Sequence, residues 1–548
     1  MQVSVISVPS LLVTFVVVSA NYVVYAKESE IFSSIAELER LYRNEAAVVK
    51  QLDEYASVLA RNLHVIKKYI EDFNKIPSFD EETAAEVVAN PFTAFHILKR
   101  TVVDWEVVAD TIKNHTKAAD VLDEVMQKGD KMPTFDDFIG GSMALVGLQD
   151  TYGLNLSEVI YGTLGSESVP QSPYELSARD LLFLGKAAFN KGLYDRSISW
   201  LEMALSRSEE ESQSVSFFSP TATREEILPF LETTKRVHDD VLDKRGPTGE
   251  NWQTFLKPVD QKLAKQKKYL SVKKYKPKLY TPLNGAEENE NYKALCRGIR
   301  LRSPKLDAPL RCRYVARPLT RSFIGPFQIE EHAIEPYIVT INDFMNEDEM
   351  KSFRDTASSR LKRSLHQGRD GQYVATDIRT SKQAWLTQED GSFVDTISRR
   401  ISDATGLEIF PENLAAEIFQ VANYGMAGRY TAHTDYLTGE DHIRNPLEIR
   451  RGNRIATFMV YLENVGAGGS TVFPYIGVQV KPKKGTAVFW WNLKRDGSGD
   501  PLTRHAGCSV LYGSKWITNK WVRYNAQFQR ALCIPEPEDN RSASFRQL

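Results

Sequence analysis

A long amphipathic pattern occupies the first part of the chain. Apolar residues recur every three or four positions between Ile35 and Ile70, with charged residues between them and no internal proline or glycine. The repeating positions are Val48, Leu52, Tyr55, Leu59, Leu63, Ile66 and Ile70. This spacing predicts a long amphipathic helix. Its apolar stripe either pairs with a second helix, as in a coiled coil, or packs inside its own domain.

A second helical region is predicted from about Pro133. Within it, LSARDLLFLGKAAFNKGLYDRSISWLEMALSRSEEE has the pattern of two antiparallel helices joined at Lys191-Gly192. The small and large residues of this pair resemble one tetratricopeptide unit at Leu184, Gly185, Ala188, Tyr194 and Ala204. Because a single unit cannot bury its own face, neighbouring segments are expected to cover it, including a further helix over residues 222–245.

Short strands with glycine turns are predicted after about Ile329. The run NRIATFMVYL, Asn453 to Leu462, is apolar on both faces and predicts a buried central strand. The segments STVFP, GVQVKPKKGTAVFWWNL and KWITNKWVRYNAQF follow it. Short, evenly spaced strands favour a double-stranded β-helix, that is a double-sheet jelly roll, or a barrel.

These patterns predict a multidomain α + β chain, since 548 residues are too many for one ordinary core. The expected segments are a signal peptide at 1–26, an N-terminal helical dimerisation domain at 27–132, a tetratricopeptide-like middle domain at 133–245, a basic linker with the first cysteine pair at 246–328, a jelly-roll domain at 329–532 and a tail at 533–548.

Composition changes this picture mainly at the N-terminus. The formal net charge of −2 gives no indication of a nucleic-acid partner. The first 26 residues contain no acid, include an apolar run from Leu11 to Val18 and end in Tyr25-Ala26, which favours a cleaved secretory signal over an uncleaved anchor. No second apolar run of spanning length follows, so the mature protein is expected to be soluble in the secretory pathway, without a membrane span.

The predicted secretory compartment is oxidising, and this determines how the four cysteines are interpreted. Cys296 lies near Cys312, and Cys508 lies near Cys533. Four thiols allow three pairings, of which two local bridges are favoured because each closes a short loop in an oxidising lumen, whereas a zinc site is the weaker alternative. Asparagine glycosylation triplets occur at Asn114, Asn155 and Asn540.

The stretch RYTAHTDYLTGEDH carries the candidate chemistry. Residues two apart on a strand point to the same face, so His433 and Asp435 can present an imidazole and a carboxylate to one point. His505, 70 residues after Asp435, begins another apolar strand and is the candidate third ligand. Two histidines and a carboxylate are the ligands of non-haem Fe(II) oxygenases. A zinc hydrolase could use similar ligands, so the triad alone leaves the metal open.

Lys515 separates these two alternatives. A buried ammonium in such a domain is unfavourable unless it meets an anion. A dicarboxylic co-substrate that chelates iron through one end would supply this anion at its other end, which favours the oxygenase. His442 lies in the polar loop GEDHIRNP and is expected to be solvated rather than a ligand.

Several motifs carry a resemblance to a known family. VANYGMAGRYTAHTDY, GNRIATFMVYL, GGSTVFP, KPKKGTAVFWWNL, TRHAGC and SKWITNKW resemble the catalytic domain of the collagen prolyl 4-hydroxylase alpha subunit. The similarity runs at least from Ile329 to Arg530 and extends more loosely upstream through the first cysteine pair, the tetratricopeptide-like segment and LQDTYGL.

The resemblance implies roles for individual residues. His433, Asp435 and His505 would bind Fe(II), and Lys515 would bind the distal carboxylate of 2-oxoglutarate. The other implied assignments are Tyr424 and Thr471 in the co-substrate pocket, Arg454 and Trp521 on the peptide, and the bridges Cys296–Cys312 and Cys508–Cys533. For Arg454 and Trp521 the alternatives are an arginine that only pairs with a carboxylate and a tryptophan that only fills the core.

The resemblance also implies a wider assembly. The helical middle domain of the family binds proline-rich peptide through tyrosines, for which Tyr194 and Tyr152 are the candidates here; an extended polyproline helix presents its rings regularly to such aromatics. Implied partners and cofactors are protein disulfide isomerase as beta subunit, a second alpha chain, and ascorbate. The C-terminus SASFRQL is not a KDEL-type signal, so residence in the endoplasmic reticulum lumen would depend on a partner.

The predicted function is therefore an iron- and 2-oxoglutarate-dependent dioxygenase that converts peptidyl proline to 4-hydroxyproline in procollagen-like chains. Two alternatives stay open. One is a dioxygenase acting on another secreted proline-rich protein or on lysine. The other is a non-catalytic subunit that binds proline-rich peptides and has a vestigial metal site.

Overall fold

Helices form the first part of the chain and antiparallel strands the second. The computed structural model describes residues 31–56, 63–75, 84–113, 133–165, 169–211, 221–245, 258–260, 276–316, 325–364, 366–367, 373–374, 379–438 and 445–530. The predicted signal peptide, the C-terminal tail, Asn114, His442, Cys533, Asn540 and the linker segments 246–257, 261–275 and 317–324 lie outside these residues.

The helical part contains the following α-helices: α1 Ile35–Ala56, α2 Leu63–Asn74, α3 Ala84–Ala89, α4 Pro91–Lys99, α5 Trp105–Lys113, α6 Phe135–Tyr152, α7 Leu156–Val159, α8 Ala178–Asn190, α9 Tyr194–Glu210 and α10 Arg224–Arg245. Sequence signals set their ends. A capping box of Thr134 and Asp137 begins α6, and Gly153, with φ 64°, ends it. None of the helices in the described ranges is long and apolar enough to cross a membrane.

The helix pair predicted around Lys191-Gly192 is present as α8 and α9, which turn at Gly192 with φ 74°. The pairing is tight because Gly185 lets α9 approach: a Cβ there would lie 2.7 Å from a side-chain atom of Leu201. The helix predicted over 222–245 is also present, as α10. Whether the pair belongs to a tetratricopeptide array stays a prediction.

The amphipathic stripe of the first region runs over two helices, α1 and α2. Its members Ile66 and Ile70 are buried in the chain's own core, together with Val49, which immediately follows Val48. At these positions the structure therefore shows the second of the two predicted alternatives, packing inside the chain's own domain. The stripe residues Leu52, Tyr55, Leu59 and Leu63 lie among side chains that the structure does not describe.

The strand-rich part also contains helices, namely α11 Gly285–Cys296, α12 Pro304–Asp307, α13 Glu347–Ser358, α14 Ser392–Thr405 and α15 Pro446–Arg451. Its strands are β1 Cys312–Val315, β2 Phe327–Ala333, β3 Ile338–Asn342, β4 Lys362–Arg363, β5 His366–Gln367, β6 Tyr373–Val374, β7 Ser381–Leu386, β8 Phe419–Tyr424, β9 Tyr430–His433, β10 Arg454–Tyr461, β11 Ala467–Gly468, β12 Thr471–Phe473, β13 Val478–Val480, β14 Ala487–Trp491, β15 His505–Gly507, β16 Val510–Tyr512 and β17 Lys515–Arg523.

These strands form a large antiparallel sheet, in the order β1-β2-β3-β14-β10-β17-β8-β7-β4, and a smaller one, in the order β13-β12-β15-β9. The predicted central strand is β10, which is buried along nearly its whole length between β14 and β17. Both sheets line one cavity of about 560 Å³. The predicted N-terminal helical region and C-terminal antiparallel-sheet domain are thus confirmed.

The predicted disulfide pairing is wrong. Cys296, at the end of α11, is bonded to Cys508, just after β15, with a Cα–Cα distance of 5.6 Å. The end of α11 packs on β12 and β15 in a small apolar cluster, which brings these two cysteines together. Cys312 lies on the edge strand β1, where it is exposed and has no disulfide partner among the described residues. Because Cys508 is already paired, the predicted Cys508–Cys533 bridge is excluded as well.

Candidate active site

Strand register brings the three predicted metal ligands together. His433 ends β9, His505 begins β15, and the two residues are opposite each other in the antiparallel pair of these strands. One ligand atom from each of His433, Asp435 and His505 lies within 4.8 Å of the others. The imidazole Nε2 atoms lie 3.6 Å and 3.8 Å from the Asp435 carboxylate. One strand pair thus brings together two histidines that are 72 residues apart in the sequence.

Both imidazoles are oriented by backbone carbonyls. Nδ1 of His433 lies 2.9 Å from the Thr431 oxygen, and Nδ1 of His505 lies 3.0 Å from the Thr503 oxygen. A carbonyl only accepts, so each Nδ1 donates and each Nε2 keeps its lone pair for a metal. Burial, reinforced by His433, lowers the pKa of His505 to about 4, which keeps this ring in the neutral form that ligates.

Asp435 is fixed by a threonine that the sequence reasoning missed. The Thr457 hydroxyl donates to Oδ2 of Asp435 over 2.7 Å, and Asn492 donates to the same hydroxyl oxygen over 2.8 Å. Burial opposes ionisation of Asp435, but His505, His433 and Arg454 outweigh it and lower the pKa of this carboxyl. Two imidazoles and one carboxylate form the donor set of a non-haem Fe(II) site, so the residues present fit that metal.

Lys515 lies in the same cavity with almost no exposure, 1%. It is opposite Tyr424 in the β17–β8 pair, and its Nζ lies 4.7 Å from the Tyr424 ring and 5.9 Å from the Tyr461 ring. Burial is the single cause that lowers its pKa to about 7. A buried cation that has no ion pair with a carboxylate among the described residues is the partner that the free end of a dicarboxylate requires.

Space for such a carboxylate lies beside the ammonium. A Cβ at Gly507 would lie 3.6 Å from Nζ of Lys515 and 3.7 Å from the Tyr424 hydroxyl, so the absence of a side chain there keeps the position open. Thr471 lines the same cavity, and its hydroxyl accepts a hydrogen bond of 2.7 Å from Tyr461. The cavity therefore contains both residues predicted for the co-substrate pocket.

Arg454 and Trp521 line this cavity too. Arg454 donates two hydrogen bonds to the carboxylate of Glu417, over 2.6 Å and 2.9 Å, and its guanidinium lies 4.0 Å above the Trp521 ring. Arg454 therefore makes the carboxylate pair that was the alternative to a peptide-binding role. It nevertheless lines the cavity as well. Among the described residues, the buried Nε1 of Trp521 has no hydrogen-bond partner.

Two further residues at the metal site were missed. The Tyr430 ring stacks on His433 with centroids 3.6 Å apart, and the Arg379 guanidinium lies 4.9 Å from the centre of the Tyr430 ring. Tyr430 could have been found from its position three residues before His433 in RYTAHTD. Arg379 has no such local signal, since it reaches Tyr430 only through a bridge between distant segments.

The predicted peptide-binding tyrosines lie outside this cavity. Tyr194 begins α9 and packs edge-on against Phe189, with centroids 5.2 Å apart. Tyr152, at the end of α6, is half-buried, and its hydroxyl donates to the backbone oxygen of Ser509 after β15. This contact places Tyr152 between the helices and the sheets rather than on an open face of the helical region.

The fold and the site define a class of protein. A double antiparallel sheet that holds two histidines and an aspartate beside a buried lysine is characteristic of oxygenases that use Fe(II) and 2-oxoglutarate. The family model described as 2OG-Fe(II) oxygenase superfamily matches residues 419–523. A second model, described as the N-terminal region of the prolyl 4-hydroxylase alpha-subunit, matches residues 34–166.

Whole-chain relatives narrow the class to one family. The prolyl 4-hydroxylase subunit alpha-2 of Gallus gallus is 31% identical over 92% of this chain and 95% of the relative. The prolyl 4-hydroxylase subunit alpha-1 of Homo sapiens is 32% identical over 92% of this chain and 96% of the relative. The subunit alpha-2 of Caenorhabditis elegans is 31% identical over 93% and 94%, respectively. The chain belongs to the family of prolyl 4-hydroxylase alpha subunits.

Proposed function

We propose that this chain hydroxylates peptidyl proline to 4-hydroxyproline in collagen-like chains, consuming 2-oxoglutarate and O2 and releasing succinate and CO2. The observation that carries the proposal is one cavity holding the three-ligand cluster of His433, Asp435 and His505 together with the buried Lys515. The names of the whole-chain relatives support proline as the residue modified.

The residues of this chain hold and orient the reactants. His433, Asp435 and His505 would hold iron, and Lys515 would bind the distal carboxylate of 2-oxoglutarate beside Tyr424 and Thr471. Iron with bound 2-oxoglutarate supplies the oxidising chemistry. The backbone carbonyls behind both histidines and the Thr457 hydroxyl behind Asp435 keep the ligand atoms aimed at one point, because second-shell partners set ligand orientation.

Peptide would enter the same cavity next to Arg454 and Trp521. The buried indole Nε1 of Trp521 can donate to a peptide carbonyl, and the ring is supported from one face by Arg454. Residues 133–245 would form a tetratricopeptide-like domain that binds proline-rich segments, with Tyr194 as the aromatic candidate, while 329–532 would form the catalytic domain. The hydroxyl of Tyr152 is already bonded to Ser509, so Tyr194 is the stronger candidate of the two.

The proposal includes an assembly and a compartment. A second alpha chain and protein disulfide isomerase as beta subunit would complete the enzyme in the endoplasmic reticulum lumen, with ascorbate restoring over-oxidised iron. The exposed Asn155, in Asn-Leu-Ser, would be glycosylated. Asn114 and Asn540 are the other proposed acceptors.

Succinate release tests the proposal. With added Fe(II) and 2-oxoglutarate, turnover is expected to rise when a (Pro-Pro-Gly) repeat peptide is added and to stay low with a lysine-containing peptide without proline. His433→Ala should abolish turnover while the protein stays folded. Peptide binding without any turnover in the parent protein would instead establish a non-catalytic binding subunit.

A further inference from the structure

Residues Ile31–Glu37, here called the N-terminal clasp, contact the catalytic sheet through β8. The Phe32 backbone oxygen accepts from the backbone N–H of Met426 over 3.0 Å. The Ser34 hydroxyl donates to Oδ1 of Asn423 over 2.8 Å, and the backbone N–H of Ala36 donates to the same oxygen over 3.1 Å. Ser34 and Asn423 are completely buried, so these bonds are made without competition from water.

Two glycines form the seat of the clasp. A Cβ at Gly425 would lie 2.2 Å from the Phe32 backbone oxygen, and a Cβ at Gly140 on α6 would lie 2.4 Å from the Phe32 ring. The backbone N–H of Ile31 donates to Asp137 of α6 over 2.6 Å. The clasp is therefore held between α6 and the end of β8, at positions where larger residues would displace it.

A buried ion pair fixes the other end of the clasp. Glu37 pairs with Lys382 on β7, and both residues are less than a tenth exposed. Lys382 is opposite Asn423 in the β7–β8 pair. Since residues opposite each other in a strand pair point to the same face, Glu37 and Ser34 contact one face of these strands.

The opposite face of the same strands lines the part of the cavity that contains Lys515. Tyr424 follows Asn423 on β8 and is opposite Lys515 on β17. Side chains alternate along a strand, so the clasp lies behind the residues that line the cavity. The amide of Asn423 donates to the Ser514 hydroxyl over 3.2 Å, and Ser514 directly precedes Lys515. One hydrogen-bonded chain, Ser34 to Asn423 to Ser514, thus joins both strands behind Tyr424 and Lys515.

We propose that the N-terminal clasp is a positioning element for the 2-oxoglutarate pocket, with Ser34, Asn423 and Ser514 as its positioning residues. By tying β8 to the start of β17, the chain of hydrogen bonds fixes the distance between Tyr424 and Lys515 and hence the position of the bound carboxylate. The inference rests on the proposed role of Lys515 as the anchor for 2-oxoglutarate. It makes a segment far outside the catalytic strands a determinant of co-substrate affinity.

The experiment compares kinetic constants in the full-length chain, prepared in the same assembly for every variant. Ser34→Ala removes the hydroxyl that holds Asn423 and is expected to raise KM for 2-oxoglutarate about three- to tenfold, the range for one hydrogen bond. KM for peptide and kcat should change less than about twofold, because the iron ligands and the peptide side of the cavity are untouched. Ser34→Thr keeps a hydroxyl and should restore KM.

Two further variants distinguish an effect of the clasp from loss of the Lys515 anchor and from general destabilisation. Thr93→Val removes a buried hydroxyl of α4, which lies 3.4 Å from the Ser172 hydroxyl, and should leave KM for 2-oxoglutarate unchanged. Lys515→Met tests the anchor itself. If Lys515→Met leaves KM unchanged, the proposed anchor fails; if it raises KM whereas Ser34→Ala does not, the anchor stands and the clasp inference is overturned. A parallel fall of kcat and rise of every KM in Ser34→Ala would also overturn it, since that is the result of general destabilisation.

Discussion

Each proposed iron ligand is held by a second residue of this chain, and these contacts decide how the site is formed. Each histidine bonds to the backbone carbonyl two positions earlier in the chain, so its orientation follows from local backbone geometry. Asp435 depends on Thr457 of β10, a strand of the other sheet. The carboxylate is therefore the ligand whose position depends most on how the two sheets pack together.

Thr457→Val keeps the shape of the side chain and removes this contact. Asp435 would lose the donor on Oδ2 and turn more freely, so the apparent affinity for Fe(II) is expected to fall about 10- to 100-fold. The measurement is succinate release as a function of Fe(II) concentration. Thr518→Val is the matched control, because this buried threonine of β17 bonds to the Gln420 backbone oxygen and not to a ligand. Equal Fe(II) affinities in the two variants would contradict the assigned role of Thr457.

Lys515 predicts a pH dependence of co-substrate binding. Burial lowers its pKa to about 7, and the ammonium is the form that binds a carboxylate. Below pH 7 the lysine is charged and KM for 2-oxoglutarate should be level. Above pH 7 the neutral amine predominates in the free protein, and KM should rise, approaching tenfold per pH unit.

The control for this pH profile is Lys515→Met, which has no titrating group and should show a high KM that is independent of pH. Measurement between pH 6 and 9 with saturating Fe(II) distinguishes the two profiles. A parent KM that stays level over this whole range would argue against an anchor that titrates near neutrality.

At the scale of single residues, the sequence predicted site residues best where the alternation of side chains along a strand was sufficient to place them. His433 and Asp435 could be paired from their spacing because alternate strand residues share a face. Thr457 and Arg379 could not be found in this way, because each reaches the site by a contact between distant segments. The same holds for Asn423, whose partner Ser34 is 389 residues away.

Strand β15 shows how elements support the site. It carries His505 at its start, pairs with β9 on one side and β12 on the other, and is followed at once by Cys508. The bond from Cys508 to Cys296 ties this strand to the end of α11. Sequence proximity suggested the pairing of Cys296 with Cys312. Proximity failed because β1 runs along the sheet edge, whereas α11 packs over β12 and β15.

Cys296→Ser should therefore destabilise the chain. Loss of a structural disulfide lowers the free energy of unfolding by about 2–5 kcal/mol. Denaturant unfolding followed by tryptophan fluorescence measures the effect. Cys312→Ser, at the exposed cysteine without a disulfide partner among the described residues, is the control and should change this free energy by less than about 0.5 kcal/mol. A larger loss in Cys312→Ser, or a Cys296–Cys312 peptide in non-reducing mass mapping, would refute the observed pairing.

At the scale of the whole molecule, the helices and the sheets share packing rather than being joined by a linker alone. The largest apolar core contains residues of α1 to α10 and also Met426, Ala427 and Leu511 of the sheet region. The hydrophobic pattern predicted the helices and the central strand well, because periodicity reports which face of an element is buried. It could not predict which element covers that face. The stripe between Ile35 and Ile70 was therefore equally compatible with pairing to a second helix and with packing inside its own domain.

Asp150 forms ion pairs between the helical region and the strand-rich region, next to this shared apolar core. Its carboxylate pairs with Arg196 of α9 over 3.1 Å and with Lys293 of α11 over 2.8 Å, while it lies itself on α6. Arg196 is 2% exposed and Lys293 is 6% exposed. One carboxylate thus compensates cations from two other helices at the place where the helical region meets the sheets.

Asp150→Asn keeps the size of this side chain and removes its charge, which leaves both buried cations without their shared counter-ion. Breaking a buried pair in this way costs about 3–5 kcal/mol of unfolding free energy. The exposed pair Lys351–Asp355 provides the control, since Asp355→Asn should cost less than about 1 kcal/mol. Because Asp150 does not line the catalytic cavity, kcat below the unfolding transition should be unchanged. Equal losses of stability in the two variants would show that Asp150 does not hold the two regions together.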